Sequence, residues 1–133
     1  MEGLKPGRIV YFVFDEQSAA EVMRRRTDGK AIAERMSRTP PAWPTGAMAH
    51  VGNAVQAGDI FPAMIIRVWD QSSGSSNLKV MLDGSDTYWA TSVVCADDKR
   101  HRSWHWMFEG QAERYQPDRA VSVPDPFFTG SQI

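Results

Sequence analysis

The feature that most constrains the fold is an Asp83-Gly84 turn between two β-rich segments. Residues 78–82 and 87–95 are rich in β-branched and aromatic side chains, and they flank the sequence Asp-Gly-Ser-Asp. An Asp-Gly pair in this setting is a strong hairpin signal, because both residues tolerate the positive φ that tight hairpin turns need. The sequence therefore predicts an antiparallel pair here, to which further strands can be added.

Three other segments have strand character. Residues 7–14 carry apolar side chains on both faces, and residues 60–69 form a β-rich run with Pro62 near its start. Residues 103–108 alternate, with aromatic rings on one face. These patterns predict strands, of which the first is covered on both sides.

A helical segment is predicted between the first two strands. Asp15 and Ser18 both suit the N-cap position, and helical spacing continues to about residue 26. Thr-Asp-Gly at 27–29 interrupts the pattern before residues 30–36 resume it, so we predict two short helices or one kinked helix. Prolines at 40, 41 and 44 then predict a connecting loop.

Together these elements predict an α+β fold: a small antiparallel sheet or an SH3-like, partly closed β-barrel with an early helical insertion and an irregular C-terminal tail. We assign residues 1–108 to a single domain and residues 109–133, with their weak periodicity, to the tail. An open sheet with helices on one face is the alternative. The edges of an open sheet would favour a homo-oligomer.

Composition limits the class of protein. Fifteen Lys and Arg against 16 Asp and Glu give a net charge of −1, which disfavours a dedicated nucleic-acid binder. Cys95 is the single cysteine, so no internal disulfide can form and a reducing compartment is expected. No apolar run approaches the roughly 18 residues of a membrane span, which predicts a cytoplasmic protein without membrane contact.

The most unusual local feature is the basic cluster of Arg24, Arg25 and Arg26, followed by Asp28. It precedes the predicted second helix start, whose free backbone amides would favour a phosphate. Consecutive helical arginines point about 100° apart, so at most two can converge on one ligand. The alternative is that they are solvated and pair with Asp28 or Glu21.

Two further sets of residues are candidates for ligand binding. His50 and Asn53 flank a flexible glycine and can hydrogen-bond a base or ribose, or else simply form a turn. Among five tryptophans, we interpret Trp69 and Trp89 as mainly structural, and Trp104 and Trp106 as the more exposed. Trp89 or Trp104 would be the ring that stacks on a base.

Signatures of catalysis are weak. Cys95 lies in an apolar segment without an electropositive context, which disfavours a nucleophile. His101 and His105 are four residues apart on a predicted strand, where that spacing does not form a zinc site. There is no glycine-rich phosphate loop. We therefore predict a protein that is not an enzyme and has no metal or cofactor.

Several segments together resemble a family of small accessory proteins encoded by tailed bacteriophages and prophages. The similarity runs from Gly7 to about Trp106, and the segments that carry it are 7–11, 24–29, 49–53, 57–59, 67–69, 82–84 and 89–93. The tail after Trp106 departs from the family pattern. The family gives no catalytic residue to transfer.

The resemblance implies a role against host defence in the bacterial cytoplasm. One mechanism is sequestration of a nucleotide-type immune signal, with Arg25 or Arg26 on phosphate and His50 and Asn53 on base or ribose. The alternative is direct binding to a host defence protein through residues 104–114. Nucleic-acid binding at the locally basic residues 24–38, or a virion assembly role, comes after these.

Overall fold

A computed structural model describes residues 1–37 and 51–114. The elements in these residues are β1 (Ile9–Val13), α1 (Glu16–Ser37), β2 (Ile60–Val68), β3 (Ser76–Met81), β4 (Thr87–Cys95), β5 (Ser103–His105) and α2 (Gln111–Arg114). The five strands form one closed barrel. The α+β class and the small barrel with an early helix are therefore confirmed, and the open sheet is excluded.

The barrel closes through a mixed set of strand pairs. β1 pairs antiparallel with both β2 and β5, and the predicted β3–β4 hairpin is confirmed. β4 and β5 run parallel, with Val94 opposite Ser103 and Cys95 opposite Trp104, so the prediction of a wholly antiparallel sheet was wrong at this pair. β4 pairs with β5 only at Val94 and Cys95, and the carbonyls of Thr87 and Thr91 on the rest of that edge accept hydrogen bonds from arginine side chains. The homo-oligomer expectation stays a prediction.

The loop of residues 96–102 brings the chain back so that β5 can pair parallel with β4. Lys99 and Arg102 both have φ of 58°, a left-handed conformation that turns the chain sharply. The loop is tied at both ends, since the Ala96 amide donates to the Trp104 carbonyl at 2.9 Å and the Arg102 amide donates to the Val13 carbonyl at 2.8 Å. It therefore returns the chain beside the strand it has just left.

The core fills the barrel with aromatic and branched side chains. Trp104 is fully buried and donates its indole N–H to the Gly74 carbonyl at 2.9 Å. Phe12 and Phe14 are also fully buried and pack edge to face, with ring centroids 5.0 Å apart. Burying each large side chain contributes about 1.5–3 kcal/mol, so this cluster supplies much of the driving force.

Helix α1 is one continuous helix of 22 residues. Asp15 is its N-cap: Ser18 N donates to Asp15 Oδ1 at 2.9 Å, and Asp15 N donates to Ser18 Oγ at 3.1 Å. Of the two predicted alternatives, two separate short helices are excluded, because one Gly inside a helix costs only about 1 kcal/mol. Gly29 also serves packing, since a Cβ there would lie 2.9 Å from Val51 Cγ2.

The ordered fold continues past the predicted end of the domain at residue 108. Gln111 on α2 is buried, accepts from Met107 N at 2.6 Å and donates to the Ile9 carbonyl at 2.8 Å. β5 is shorter than the predicted strand at 103–108. The predicted loop at 39–46 and residues 115–133 of the predicted tail lie outside the described residues.

In the part of the chain that is described, neither helix has the length and apolar character of a membrane span.

We expect Asp15→Ala to lower the free energy of unfolding by about 1 kcal/mol, because α1 loses its N-cap. Burial acts to raise the pKa of Asp15, but the hydrogen bonds from Ser18 and the charge of Arg102 outweigh it, so the pKa is lowered. A lowered carboxyl pKa stabilises the fold above the unfolded-state value, and this contribution disappears as pH falls through the folded-state value.

Urea unfolding at neutral and strongly acidic pH measures this effect. The gap between the wild type and Asp15→Ala should shrink in acid. Asp28→Ala, at an exposed position inside α1, is the control and should leave stability within roughly 0.5 kcal/mol. Equal effects of the two variants would contradict the cap assignment.

Candidate functional site

Arg26 joins α1 to the β3–β4 loop through a partly buried ion pair. Its Nη1 and Nη2 contact Asp86 Oδ2 and Oδ1 at 2.9 and 3.1 Å, a bidentate pair. Its Nε donates to the Asn53 carbonyl at 2.8 Å, and the side chain is only 7% exposed. Three bonds from a guanidinium that is almost fully buried give Arg26 a structural role, so Arg25 is the more accessible of the two arginines predicted to neutralise a ligand phosphate.

The segment at 51–53 packs against the same β3–β4 loop. Gly52 and Gly84 form an antiparallel bridge, and a Cβ on Gly52 would lie 2.6 Å from Arg26 Nη2. Asn53 N and Nδ2 donate to the carbonyl and carboxylate of Asp83, both at 2.8 Å. The glycine thus permits a close backbone approach, and the Asn53 amide bonds to the β3–β4 loop, while its predicted contact with a base or ribose stays a prediction.

Arg25 shares the Asp86 carboxylate but is more accessible. Its Nη1 donates to Asp86 Oδ2 at 3.1 Å and to the Thr87 carbonyl at 2.7 Å, and 41% of its side chain is exposed. Burial acts to raise the pKa of Asp86, but hydrogen bonds from Arg26 and Arg25 outweigh it and lower the pKa below its usual range. The arginines therefore do pair with an acid, but with Asp86 and not with Asp28 or Glu21.

The predicted anion site on free helix amides was wrong. It required a helix start just after Arg26, but residues 27–29 lie inside α1, where backbone amides bond within the helix. Arg24 and Asp28 are exposed on this helix. They are therefore solvated helix residues in this structure.

A groove between α1 and β4 lies beside Arg25, and we call it the α1–β4 groove. It has a volume of about 380 Å³ and is lined by Gln17, Glu21, Tyr88, Trp89, Thr91 and Arg102. Gln17, Glu21 and Arg25 follow at intervals of four residues, so they form one stripe on α1 along β4. The groove is thus built from one helix face and one strand.

Hydrogen bonds hold the polar side chains that line this groove in place. Tyr88 Oη donates to Glu21 Oε2 at 2.7 Å, and Arg102 Nη2 donates to the Thr91 carbonyl at 2.9 Å. Burial and the Glu21 carboxylate raise the pKa of Tyr88, so the phenol stays protonated at neutral pH. The groove therefore presents one carboxylate near its middle and a guanidinium at Thr91.

The exposures of Trp89 and Trp104 are the reverse of those predicted, while Trp106 is partly buried. Trp104 was expected to be exposed and able to stack on a base, but it is 0% exposed, because β5 closes the barrel and directs this ring into the core. Trp89 was interpreted as mainly structural, yet it is 59% exposed and lines the groove. The alternation of β4 explains this, since its neighbours Tyr88 and Ala90 point inward. Trp69 is also exposed, at 52%.

The structure thus brings together only part of the predicted site. Arg25 and Trp89 lie near the groove, whereas His50 lies outside the described residues. Sequence reasoning missed Glu21 and Arg102 as groove residues. The four-residue spacing of Gln17, Glu21 and Arg25 on α1 could have indicated that Glu21 lies on the same helix face as Arg25. Arg102 could not have been identified in this way, because it reaches β4 only through the 96–102 loop, which no local pattern predicts.

The Cys95 thiol lies in an environment that suppresses its reactivity. Burial and the nearby Asp97 raise the pKa of Cys95 to about 11, so its thiol is protonated and weakly nucleophilic at neutral pH. Within residues 1–37 and 51–114, no three His, Cys, Asp or Glu side chains are grouped as metal ligands would be.

The fold and the groove define a small closed β-barrel of α+β class with a polar, aromatic groove beside its helix. Comparison of the chain with family models, curated proteins and solved structures gives no match. The resemblance to phage accessory proteins therefore stays a prediction.

We expect Arg26→Ala to lower the free energy of unfolding by about 2–3 kcal/mol, because Asp86 loses its bidentate partner. Arg26→Lys should recover little of this loss, since an ammonium group cannot reproduce the planar fork. Arg24→Ala, one residue away and exposed, is the matched control and should change stability by less than roughly 0.5 kcal/mol. Urea denaturation measures all three, and a small loss for Arg26→Ala would contradict its structural role.

Proposed function

We propose that this is a phage-encoded, non-enzymatic binding protein that counters host defence by sequestering a nucleotide-type immune signal in the bacterial cytoplasm. We propose the α1–β4 groove as its binding site. The observation that carries this proposal is the exposed Trp89, which lines a groove between two arginine contacts on the same strand.

The spacing of the arginines supports the choice of ligand. Arg25 contacts the carbonyl of Thr87, and Arg102 contacts the carbonyl of Thr91. At about 3.3 Å per residue these carbonyls are roughly 13 Å apart, and Trp89 lies midway between them. A base stacked on Trp89 would place its phosphates towards one or both guanidinium groups, whose several N–H donors suit phosphate oxygens.

The middle of the groove suits the uncharged part of a nucleotide. Glu21 can accept from an exocyclic amine or a ribose hydroxyl, and the amide of Gln17 can both donate and accept. The carboxylate would repel a phosphate at this point, so phosphates are directed to the ends. A volume of about 380 Å³ also lies within the range of small-molecule sites.

We expect Trp89→Leu to weaken nucleotide binding by roughly 5- to 150-fold, corresponding to a stacking contribution of about 1–3 kcal/mol. A thermal-shift screen of linear and cyclic nucleotides, with native mass spectrometry of the gently purified protein, would identify the ligand. Isothermal titration calorimetry would then compare the variants.

Trp69→Leu is the matched control for this experiment. Trp69 is also exposed and also lies beside an arginine, with the Arg67 guanidinium 4.1 Å from its ring centroid, but it is not part of the groove. Nucleotide affinity should be unchanged in this variant. A screen in which no nucleotide binds, or an equal loss for both tryptophan variants, would overturn the proposal.

Direct binding to a host defence protein is the second candidate, and the exposed Ile66 and Trp69 favour it. These side chains are 46% and 52% exposed at the end of β2, and exposed aromatic residues commonly anchor protein partners. The predicted contact surface at 104–114 is less suitable because Trp104 is buried. In a pull-down from bacterial lysate, a stoichiometric partner lost on Trp69→Ser but retained on Trp89→Leu would favour this function over nucleotide binding.

A further inference from the structure

A second cleft lies on the other side of the 96–102 loop, between β5 and the segment that leads into α2. We call it the β5–α2 cleft, and it has a volume of about 500 Å³. Residues from the N-terminus, the end of β4, β5 and 106–113 line it. None of the predicted ligand-binding residues that lie within 1–37 and 51–114 lines this cleft, and it shares no lining residue with the α1–β4 groove.

His105 in the wall of this cleft has an unsatisfied nitrogen. The residue is 6% exposed, and Nδ1 is buried without a hydrogen-bond partner, the one such side-chain atom found among residues 1–37 and 51–114. Burial and the nearby Lys99 lower the pKa of His105, so its ring is neutral at neutral pH. A neutral imidazole with its proton on Nε2 offers Nδ1 as an acceptor.

Buried polar atoms in native proteins nearly always have a partner, because an unpaired one costs about 1–3 kcal/mol. An N–H or O–H group of a ligand in the cleft would supply the missing donor once the His105 ring turns Nδ1, which has almost no accessible surface in this structure, towards the cleft. The orphaned nitrogen therefore points to a bound molecule with a hydrogen-bond donor.

The charges around the cleft determine whether a cationic or an anionic ligand is favoured. Its carboxylates outnumber its cations: Glu2, Asp97, Glu109 and Glu113 are opposed by Lys99 in the lining and by Arg8 and Arg114 against the two aromatic rings. Such a lining attracts a cation and repels an anion, the opposite preference to that of the arginines at the α1–β4 groove.

The inner wall of the cleft is apolar and aromatic. Trp106 and Phe108 line it together with Cys95, whose thiol is uncharged at neutral pH. Both rings already hold a cation, since Arg8 lies 4.9 Å from the Trp106 centroid and Arg114 lies 5.2 Å from that of Phe108. A ligand with an apolar body would therefore pack here while its charge stays near the acids.

The cleft is preformed, because its walls are fixed by contacts within the chain. Gln111 bonds to Met107 and to β1, and the Arg8 guanidinium donates to the carbonyls of Gly3 and Gln111, both at 2.8 Å. Gly3, at φ of 73°, lets the N-terminal segment approach α2, since a Cβ there would lie 2.3 Å from the Ala112 carbonyl oxygen. A preformed site loses little entropy on binding.

We propose that the β5–α2 cleft binds an amphipathic organic amine. Its ammonium group lies among the carboxylates of Glu109 and Glu113, and its ring packs against Trp106 and Phe108. A donor group on the ligand hydrogen-bonds to Nδ1 of His105.

Tryptamine is the probe that tests this proposal, because it combines an ammonium group, an aromatic body and an indole N–H donor. Indole-3-propionic acid has the same ring and a carboxylate in place of the amine, so it is the matched control ligand. Titration followed by amide chemical shifts should show tryptamine binding at residues around His105, with at least roughly tenfold weaker binding of the acid. Equal binding of the two ligands, or no shifts at this cleft, would overturn the proposal.

Two variants distinguish the contribution of the two glutamates to tryptamine binding from that of His105. Glu109→Gln combined with Glu113→Gln, at two exposed positions, should weaken tryptamine binding roughly tenfold while the protein stays folded. His105→Phe keeps a ring in the wall but removes the acceptor, so it should weaken binding without lowering the midpoint of thermal unfolding. Glu34→Gln on α1 is the control and should change nothing. Tryptamine affinity that is unchanged in both cleft variants would refute the assignment.

Discussion

The pairing of β5 with both β1 and β4 is the constraint on which the rest of the structure depends. β5 is only three residues long, yet it pairs antiparallel with β1 and parallel with β4, and so closes the barrel. Its central residue, Trp104, fills the core and bonds to Gly74. The loop that delivers β5 also positions Arg102 in the α1–β4 groove and Asp97 and Lys99 in the β5–α2 cleft. Closure and site formation are therefore consequences of the same loop.

Clustered charge in a sequence does not by itself distinguish a ligand site from a structural contact. The three consecutive arginines of α1 differ in environment because each points in its own direction from the helix. Arg26 is buried in a bidentate pair, Arg25 shares the same carboxylate while remaining accessible, and Arg24 is exposed. The acid that decides their roles is Asp86, which lies 60 positions from Arg26 in sequence. Only the tertiary structure brings the two together.

Local chemistry made part of the fold predictable from the sequence. The β3–β4 hairpin, the first two strands and the start of α1 were predictable from turn residues, β-branched runs and the Asp15 cap, all of which act over a few residues. Neither Asp83 nor Gly84 adopts the expected positive φ, however, and Gly84 instead allows the close approach of Gly52. The parallel β4–β5 pair was not predictable, because it depends on left-handed φ at Lys99 and Arg102, two residue types that carry no special preference for it. The continuity of α1 through Gly29 was also missed, because one glycine inside a helix costs only about 1 kcal/mol and need not end it.

The candidate sites were less predictable because exposure is decided by strand parity within the closed barrel. Trp89 and Trp104 both lie on β-rich segments, and only the pairing of Trp104 with Phe12 and Cys95 shows which ring is inside.

The net charge of the chain does not show how charge is distributed between the α1–β4 groove and the β5–α2 cleft. A chain with a formal charge of −1 has arginines at one groove and an excess of carboxylates at the other cleft, with the 96–102 loop between them. Neutrality on average therefore argues against a uniformly basic surface, but it leaves room for two local sites of opposite preference.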